Sequence, residues 1–339
     1  DLWRKGYPFE QVASVPFYVR WPTTWESRLA TSRGSVVSSL VELRDVFPTI
    51  ADVAGIVLPP ADASEAPDGS SIISLLRHAN PPPSWRDVLI LELATCERKG
   101  RLDNFMALTD GHGKYVRHLT DGREQLFDLA SDAYEQRDLA RANRSAVQSW
   151  RARLAAELLR EGRGAKWVTP TGSLPIAGEC SDYEQLDVAA ASRDSRSENT
   201  QVPTAPLANI VFFLSDDQDL MLGGAGFQPM RETHRLLVER GATASNFFAH
   251  TPICGPSRAQ ILTGRYLHNL KWDATATQPR PPTERNCMHI NTSLVHDHSF
   301  APHLKKAGYT VGLFGKYLNW PADWKHVPDG FSAWFANGG

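Results

Sequence analysis

Cys254 opens the run Cys254-Gly255-Pro256-Ser257-Arg258, and Leu262-Thr263-Gly264-Arg265 follows close behind. A cysteine by itself is more often a small buried hydrophobe than a reactive group. Here Pro256 suits the first turn of a helix through Ala259, Ile261 and Leu262 to Gly264, which puts Cys254 at the helix N-terminus. The unpaired amides of such a terminus favour an anion. Upstream, the run Ala208-Asn209-Ile210-Val211-Phe212-Phe213-Leu214 has the composition of a buried parallel strand and empties into Asp216-Asp217-Gln218-Asp219. Open α/β sheets bind ligands at the C-terminal ends of strands, so paired aspartates there suit a divalent cation. A solvated turn is the plainer alternative.

The segment from Cys254 to Arg265 resembles the formylglycine-dependent sulfatases, whose signature is Cys-x-Pro-Ser-Arg followed by Leu-Thr-Gly-Arg. Around it, Asp216-Asp217-Gln218-Asp219, Gly315-Lys316-Tyr317-Leu318-Asn319 and His326-Val327-Pro328-Asp329-Gly330-Phe331 are most similar to the N-acetylglucosamine-6-sulfatase and extracellular heparan sulfatase branch. The resemblance implies an α/β, alkaline phosphatase-like fold: a mainly parallel sheet between helices, with a small antiparallel α+β C-terminal subdomain. It also implies a sulfuric ester hydrolase acting on sulfated glycans such as N-acetylglucosamine 6-sulfate, or on aryl sulfates. By the match, Cys254 is the precursor of formylglycine, and Pro256, Ser257 and Arg258 complete the signal read by a formylglycine-generating enzyme. Asp216 and Asp217, joined by an oxygen of the modified Cys254, are the implied ligands of Ca2+, with Mg2+ less typical. Arg258 is implied to hydrogen-bond the hydrated aldehyde or its oxyanion. Lys316 matches one sulfate-binding lysine, and Lys5, in Arg4-Lys5-Gly6-Tyr7-Pro8-Phe9-Glu10, matches the second. His250, shortly before Cys254, is a candidate to line the pocket. The family implies the secretory pathway, secreted or lysosomal.

The elements that must position these groups come in an order that departs from the family. Residues 1–175 resemble its C-terminal portion. They include the β-like run Val15 to Pro22 and a short helix around Pro48 that stops at Gly55. Short β-type runs at Asn104 to Thr109, Lys114 to His118 and Gln125 to Leu129 are separated by Asp110-Gly111-His112-Gly113 and Asp121-Gly122, the pattern of an antiparallel meander. Val147, Trp150, Leu154 and Leu158 then recur at helical spacing up to Gly162 and predict a helix covering that sheet. Residues 176–206 are polar, with no apolar residue from Ser192 to Thr200, and read as a linker. The family's N-terminal catalytic portion begins only afterwards, over 207–339, and is incomplete. The central segment that carries a second Asp-Asn metal pair and a catalytic histidine has no counterpart here. Asp103-Asn104 precedes a meander strand and reads as a turn. A piece of a tandem sulfatase, a faulty or truncated gene product and a permutation that lost its middle all fit this order, the first two better.

Composition bounds the remainder. The chain has 339 residues, 42% of them apolar, enough for a sizeable core. A net charge of −2 gives no basic excess for nucleic acid. No apolar run reaches the roughly 18 residues of a membrane span. Asp1 reads as a processed end or the edge of a fragment, with no signal peptide in the chain. Four cysteines, Cys96, Cys180, Cys254 and Cys287, are too scattered for a disulfide scaffold or a CxxC zinc site. Gly223-Gly224-Ala225-Gly226 lacks the Gly-Lys-Ser/Thr ending of a phosphate loop. Two rival functions stay in view. A phosphoesterase of the same superfamily would want Ser or Thr in place of Cys254. A catalytically incomplete fragment, or a sulfoglycan-binding pseudoenzyme, would follow from the missing metal ligands and histidine.

Overall fold

The computed structural model describes residues 5–60, 63, 66–93, 104–163, 167–175, 208–220, 228–270, 290–318 and 327–337. The linker at 176–206, the glycine run at 223–226, Asp103, Asn319, His326 and three of the cysteines (Cys96, Cys180 and Cys287) lie outside them. The chain is mixed α/β and divides into two compact units, each drawing on early and late parts of the sequence. Among the described residues no helix is long and apolar enough to cross a membrane.

The first unit comprises residues 1–42, 74–186 and 217–252. In it, β1 (Phe17–Val19) and β2 (Ser35–Val37) flank β8 (Ala242–Ala244), antiparallel and parallel respectively. The pair β3 (Val41–Glu42) and β9 (Phe247–Phe248) is parallel. The expected meander is present as β4 (Leu89–Leu93), β5 (Phe105–Thr109), β6 (Gly113–His118) and β7 (Glu124–Asp128), antiparallel and in sequence order. Its turns use the expected chemistry. The Asp110 carboxylate accepts from the amides of His112 and Gly113, and Gly111 takes a φ of 84°, where a Cβ would be strained. The helix Arg144–Arg160 begins at Asn143, whose side chain accepts from the Ala146 amide. Its buried face of Val147, Leu154, Ala155 and Leu158 packs with Ile90, Met106, Leu108, Tyr115 and Leu126. Trp150 lies against this cluster, over Gly113.

The second unit comprises residues 43–73, 187–216 and 253–339. The short helix read around Pro48 is Val46–Ala54, closed by Gly55 in the left-handed conformation. The helix Cys254–Thr263 ends the same way at Gly264, with φ 67°. Helices Thr292–Asp297 and Phe300–Lys306 lead into the parallel pair β10 (Val311–Lys316) and β11 (Phe331–Asn337). His303 is half-buried, its ring tilted against that of Phe47 at 5.5 Å between centroids.

One expectation about elements is overturned. Residues 208–214 are not a buried strand: they belong to no described ladder, and Val211 and Phe213 are exposed at 74% and 81%. A strand buried on both faces needs hydrogen-bonded neighbours and covering helices. No described strand pairs with this run, so its apolar side chains face solvent. The parallel pairings are distributed over small sheets instead of one large one.

Within the meander, Arg151 holds the Glu124 carboxylate by two hydrogen bonds of 2.6 Å, and the Tyr115 hydroxyl donates to the same group. Burial acts to raise the pKa of Glu124, but the bonds from Arg151 and Tyr115 outweigh it and hold it below the usual value. A depressed carboxylate stabilises the fold above its unfolded pKa of about 4.3, and that stabilisation is lost as pH falls through the lower folded value. Glu124→Gln should therefore cost about 1.5–3 kcal/mol at pH 7. Urea unfolding across pH should show the gap between variant and natural chain closing below about pH 4; a gap unchanged down to pH 2 would contradict this account.

Candidate active site

In the second unit, Cys254 is the first residue of its helix, preceded by Ile253 in extended conformation, and it is buried. No side-chain hydrogen bond caps this end, and the positive end of the helix lies beside the sulfur. The Cys254 thiol donates to Asp216 Oδ1 at 3.6 Å. One turn along the helix, the Arg258 guanidinium reaches the same region. Its Nη1 donates to the backbone carbonyl of Lys316 at 2.6 Å, and its Nη2 lies 3.8 Å from Asp216 Oδ1. Lys316, at the end of β10, donates from Nζ to Asp216 Oδ2 at 2.8 Å. Thus Asp216 is the hub: one oxygen faces the thiol and Arg258, the other faces Lys316.

Burial acts to raise the pKa of Asp216. The hydrogen bond and charge of Lys316, followed by the Arg258 charge and the thiol hydrogen bond, prevail and lower it. Within this unit, Arg258 and Lys316 set two cationic side chains against the one Asp216 carboxylate. That balance, together with the helix N-terminus, suits an anionic ligand.

The first unit holds three further residues singled out from sequence, Lys5, Asp217 and His250. Lys5 Nζ donates to Asp217 Oδ2 at 3.2 Å, with both side chains about half exposed. Asp217 has φ 56°, the left-handed region that few residues other than glycine tolerate and that aspartate tolerates better than most. The amide of Gly6 donates to the Pro252 carbonyl at 3.0 Å and ties down the segment carrying Lys5. His250 is buried in this unit, its ring beside the Thr251 hydroxyl, and its carbonyl accepts from the Glu92 amide. That backbone bond makes it part of the packing.

As a donor set for a divalent cation, Asp216 and Asp217 offer hard carboxylate oxygens, the right chemistry for Ca2+ or Mg2+. An oxygen on Cys254 would add a third hard donor, whereas the thiol itself is soft. Asp103, the other acidic candidate from sequence, lies outside the described residues, and Asn104 is buried in the lead-in to β5 with its carbonyl accepting from Leu119.

A buried cysteine at a helix N-terminus, with an arginine one turn on and a lysine–aspartate pair, is an arrangement suited to an anion. Residues 208–339 match the family model described as Sulfatase. The chain is similar to the extracellular sulfatase SULF-1 homolog of Drosophila melanogaster, 37% identical over 146 residues, which are 43% of this chain and 12% of that protein. It is also similar to N-acetylglucosamine-6-sulfatase of Homo sapiens, 35% identical over 135 residues, covering 38% of this chain and 23% of that protein. The chain thus spans less than a quarter of the length of these relatives. A solved 2-O GAG sulfatase aligns over 42% of this chain and 28% of its own, with 22% identity and a TM-score of 0.31, too slight a likeness to bear on the fold.

Arg258 donates to the Lys316 carbonyl, whereas methionine at 258 would fill much of the space and donate nothing. Arg258→Met should destabilise the chain by about 1.5–3 kcal/mol in urea unfolding. Arg258→Lys should recover only part, since an ammonium lacks the guanidinium's fixed fork. Equal stability of all three proteins would show that the bond contributes nothing.

Proposed function

We propose that this chain carries part of the active site of a sulfuric ester hydrolase that uses a formylglycine made from Cys254 and a divalent metal. The observation that carries the reading is the convergence of Cys254, Arg258 and Lys316 on the Asp216 carboxylate. Sulfate ester hydrolysis places a nucleophile on sulfur while negative charge builds on the sulfuryl oxygens and the leaving oxygen. Arg258 and Lys316 supply fixed positive charge where that develops, and the helix N-terminus at Cys254 adds its dipole. Lys5 is proposed as the second cation for the sulfate. Oxidised to formylglycine and hydrated, Cys254 would supply the attacking hydroxyl, with the metal polarising it. Asp216 and Asp217 would hold that metal, proposed as Ca2+ in preference to Mg2+. Sulfated glycans such as N-acetylglucosamine 6-sulfate are the proposed substrates, a formylglycine-generating enzyme the proposed modifying partner, and the secretory pathway the proposed location. Similarity to an extracellular sulfatase and to an N-acetylglucosamine-6-sulfatase supports these choices.

A second reading, a catalytically incomplete segment or a sulfoglycan binder, is favoured by the donor count. Ca2+ takes 6–8 oxygens, and two aspartates with one oxygen at Cys254 leave much of the shell to water or to another chain. Turnover by the isolated chain is therefore expected to be feeble.

The deciding experiment is peptide mass spectrometry of the fragment spanning Cys254 after co-expression with a formylglycine-generating enzyme, with an aryl sulfate assay on the same sample. Formylglycine at Cys254 with weak or no turnover is the expected result. Turnover comparable with a full-length relative would overturn the expectation of an incomplete site, and an unmodified thiol would remove the formylglycine reading. Calorimetric titration with Ca2+ should show binding that Asp216→Ala abolishes; binding that survives this change would place the metal elsewhere.

A further inference from the structure

Lys114 lies on β6, in the first unit, with its side chain fully buried. Burying an ammonium is unfavourable unless it is well paired. Its Nζ donates to the Pro8 carbonyl at 2.8 Å and lies 2.6 Å from the Glu10 carboxylate and 3.0 Å from that of Glu135. The Glu135 carboxylate, almost fully buried, also accepts from the Glu10 backbone amide at 2.5 Å. Glu135 is one of two non-glycine residues described with a positive φ, at 53°, a strained backbone tolerated where the surroundings over-determine it. Two of the groups that hold Lys114, Pro8 and Glu10, belong to the segment that begins at Lys5. The same segment is pinned further by the Gly6 amide on the Pro252 carbonyl and by the Phe9 ring set edge-on against Phe127.

A buried ion cluster is seldom more stabilising than apolar side chains of the same volume, so stability alone does not account for it. What it adds is direction. A carbonyl and a carboxylate two residues apart must both meet one ammonium, and a second carboxylate must meet both the ammonium and a backbone amide. Apolar packing tolerates small slips of a segment; this arrangement does not. Lys5 sits three residues before Pro8, too exposed to be fixed by packing of its own.

We propose that Lys114, oriented by Glu135, is a positioning residue for Lys5: it fixes the path of residues 5–10 and so the place of the Lys5 ammonium. This rests on the reading of Lys5 as a sulfate-binding cation.

The test uses the full chain and four variants: Lys5→Ala, Lys114→Met, the double variant, and Glu135→Gln. Two measurements are made, hydrogen exchange of the Gly6 amide and affinity for N-acetylglucosamine 6-sulfate. In Lys114→Met, exchange at Gly6 should speed up by about tenfold or more, the change expected on losing a hydrogen bond to a charged group. Exchange at Val116 and Leu126 in the meander should stay unchanged. Affinity should fall to the level of Lys5→Ala, and the double variant should fall no further, since residues acting through one another are not additive. Unchanged Gly6 exchange, or additive losses in the double variant, would overturn the proposal. Should Lys114→Met not fold, Glu135→Gln, which keeps the volume, must show the same selective loosening at Gly6 or the proposal fails. If Lys5→Ala leaves sugar binding intact, the functional reading of Lys5 is wrong, while Gly6 exchange still decides whether Lys114 fixes the segment.

Discussion

The seating of the helix Cys254–Thr263 is the constraint on which the second unit's site depends. The sulfur, the helix N-terminus and the guanidinium all ride on that one helix, so a small rotation would misplace them together. Its C-terminal end is clamped by residues far earlier in the chain. The Gly264 carbonyl accepts from the amides of Asp68 and Gly69, and the Asp68 carboxylate accepts from the Tyr266 amide and the Asn269 side chain. Arg44 closes the clamp by donating to the Asp68 carbonyl and lying 3.3 Å over the Tyr266 ring. There is no slack at the two glycines. A Cβ on Gly264 would come 2.8 Å from Pro67, and one on Gly69 would come 2.1 Å from the Arg44 carbonyl. The Gly in the Leu-Thr-Gly-Arg run is thus fixed by its left-handed backbone and by a neighbouring loop at once.

The opposite end of the helix is held by charge. Arg258 grips the end of β10 through a carbonyl, and Lys316 from that same end grips Asp216. Helix, strand and aspartate therefore form a closed circuit in which each bond fixes the geometry of the next. Such networks are not sums of independent pairs, because removing one member leaves another partly buried group without its partner.

What was legible in the sequence divides along physical lines. The helix that starts at Cys254 and stops at Gly264 could be read because proline and glycine act locally, through φ and a missing donor. The meander turns at Asp110-Gly111 and Asp121-Gly122, the stop at Gly55 and the stripe of Val147, Leu154 and Leu158 follow the same local rules. Residues 208–214 misled because composition reports what a segment could bury, while a strand's burial depends on neighbours that composition does not reveal. The clamp of Arg44, Asp68 and Gly69 and the cluster around Lys114 were invisible for a related reason. Their members are dozens to hundreds of residues apart, and a lone lysine or aspartate in a sequence reads as surface. The bounding strand Leu89–Leu93 carried a signal, a short continuous apolar run broken only by Glu92, which is buried in an ion pair with Arg163.

The chain pairs lysine with acid in two settings, and the contrast bears on what each pair can do. Around Lys114 the ammonium and the Glu135 carboxylate are shut away from water, and breaking their contact leaves an uncompensated charge. Such a cluster holds one arrangement and suits a structural register. Around Asp216 the carboxylate is 45% exposed and the Lys316 side chain 16%. Water can replace either partner there, so the pair is weaker and its members can change partners at low cost. The proposed site, which would have to admit an anion and let Asp216 turn to a cation, could not be built from pairs as closed as that of Lys114. Partial exposure of Asp216 is thus what an exchangeable site requires, and the rigidity it gives up is supplied by the backbone bond from Arg258 and by the clamp at Gly264.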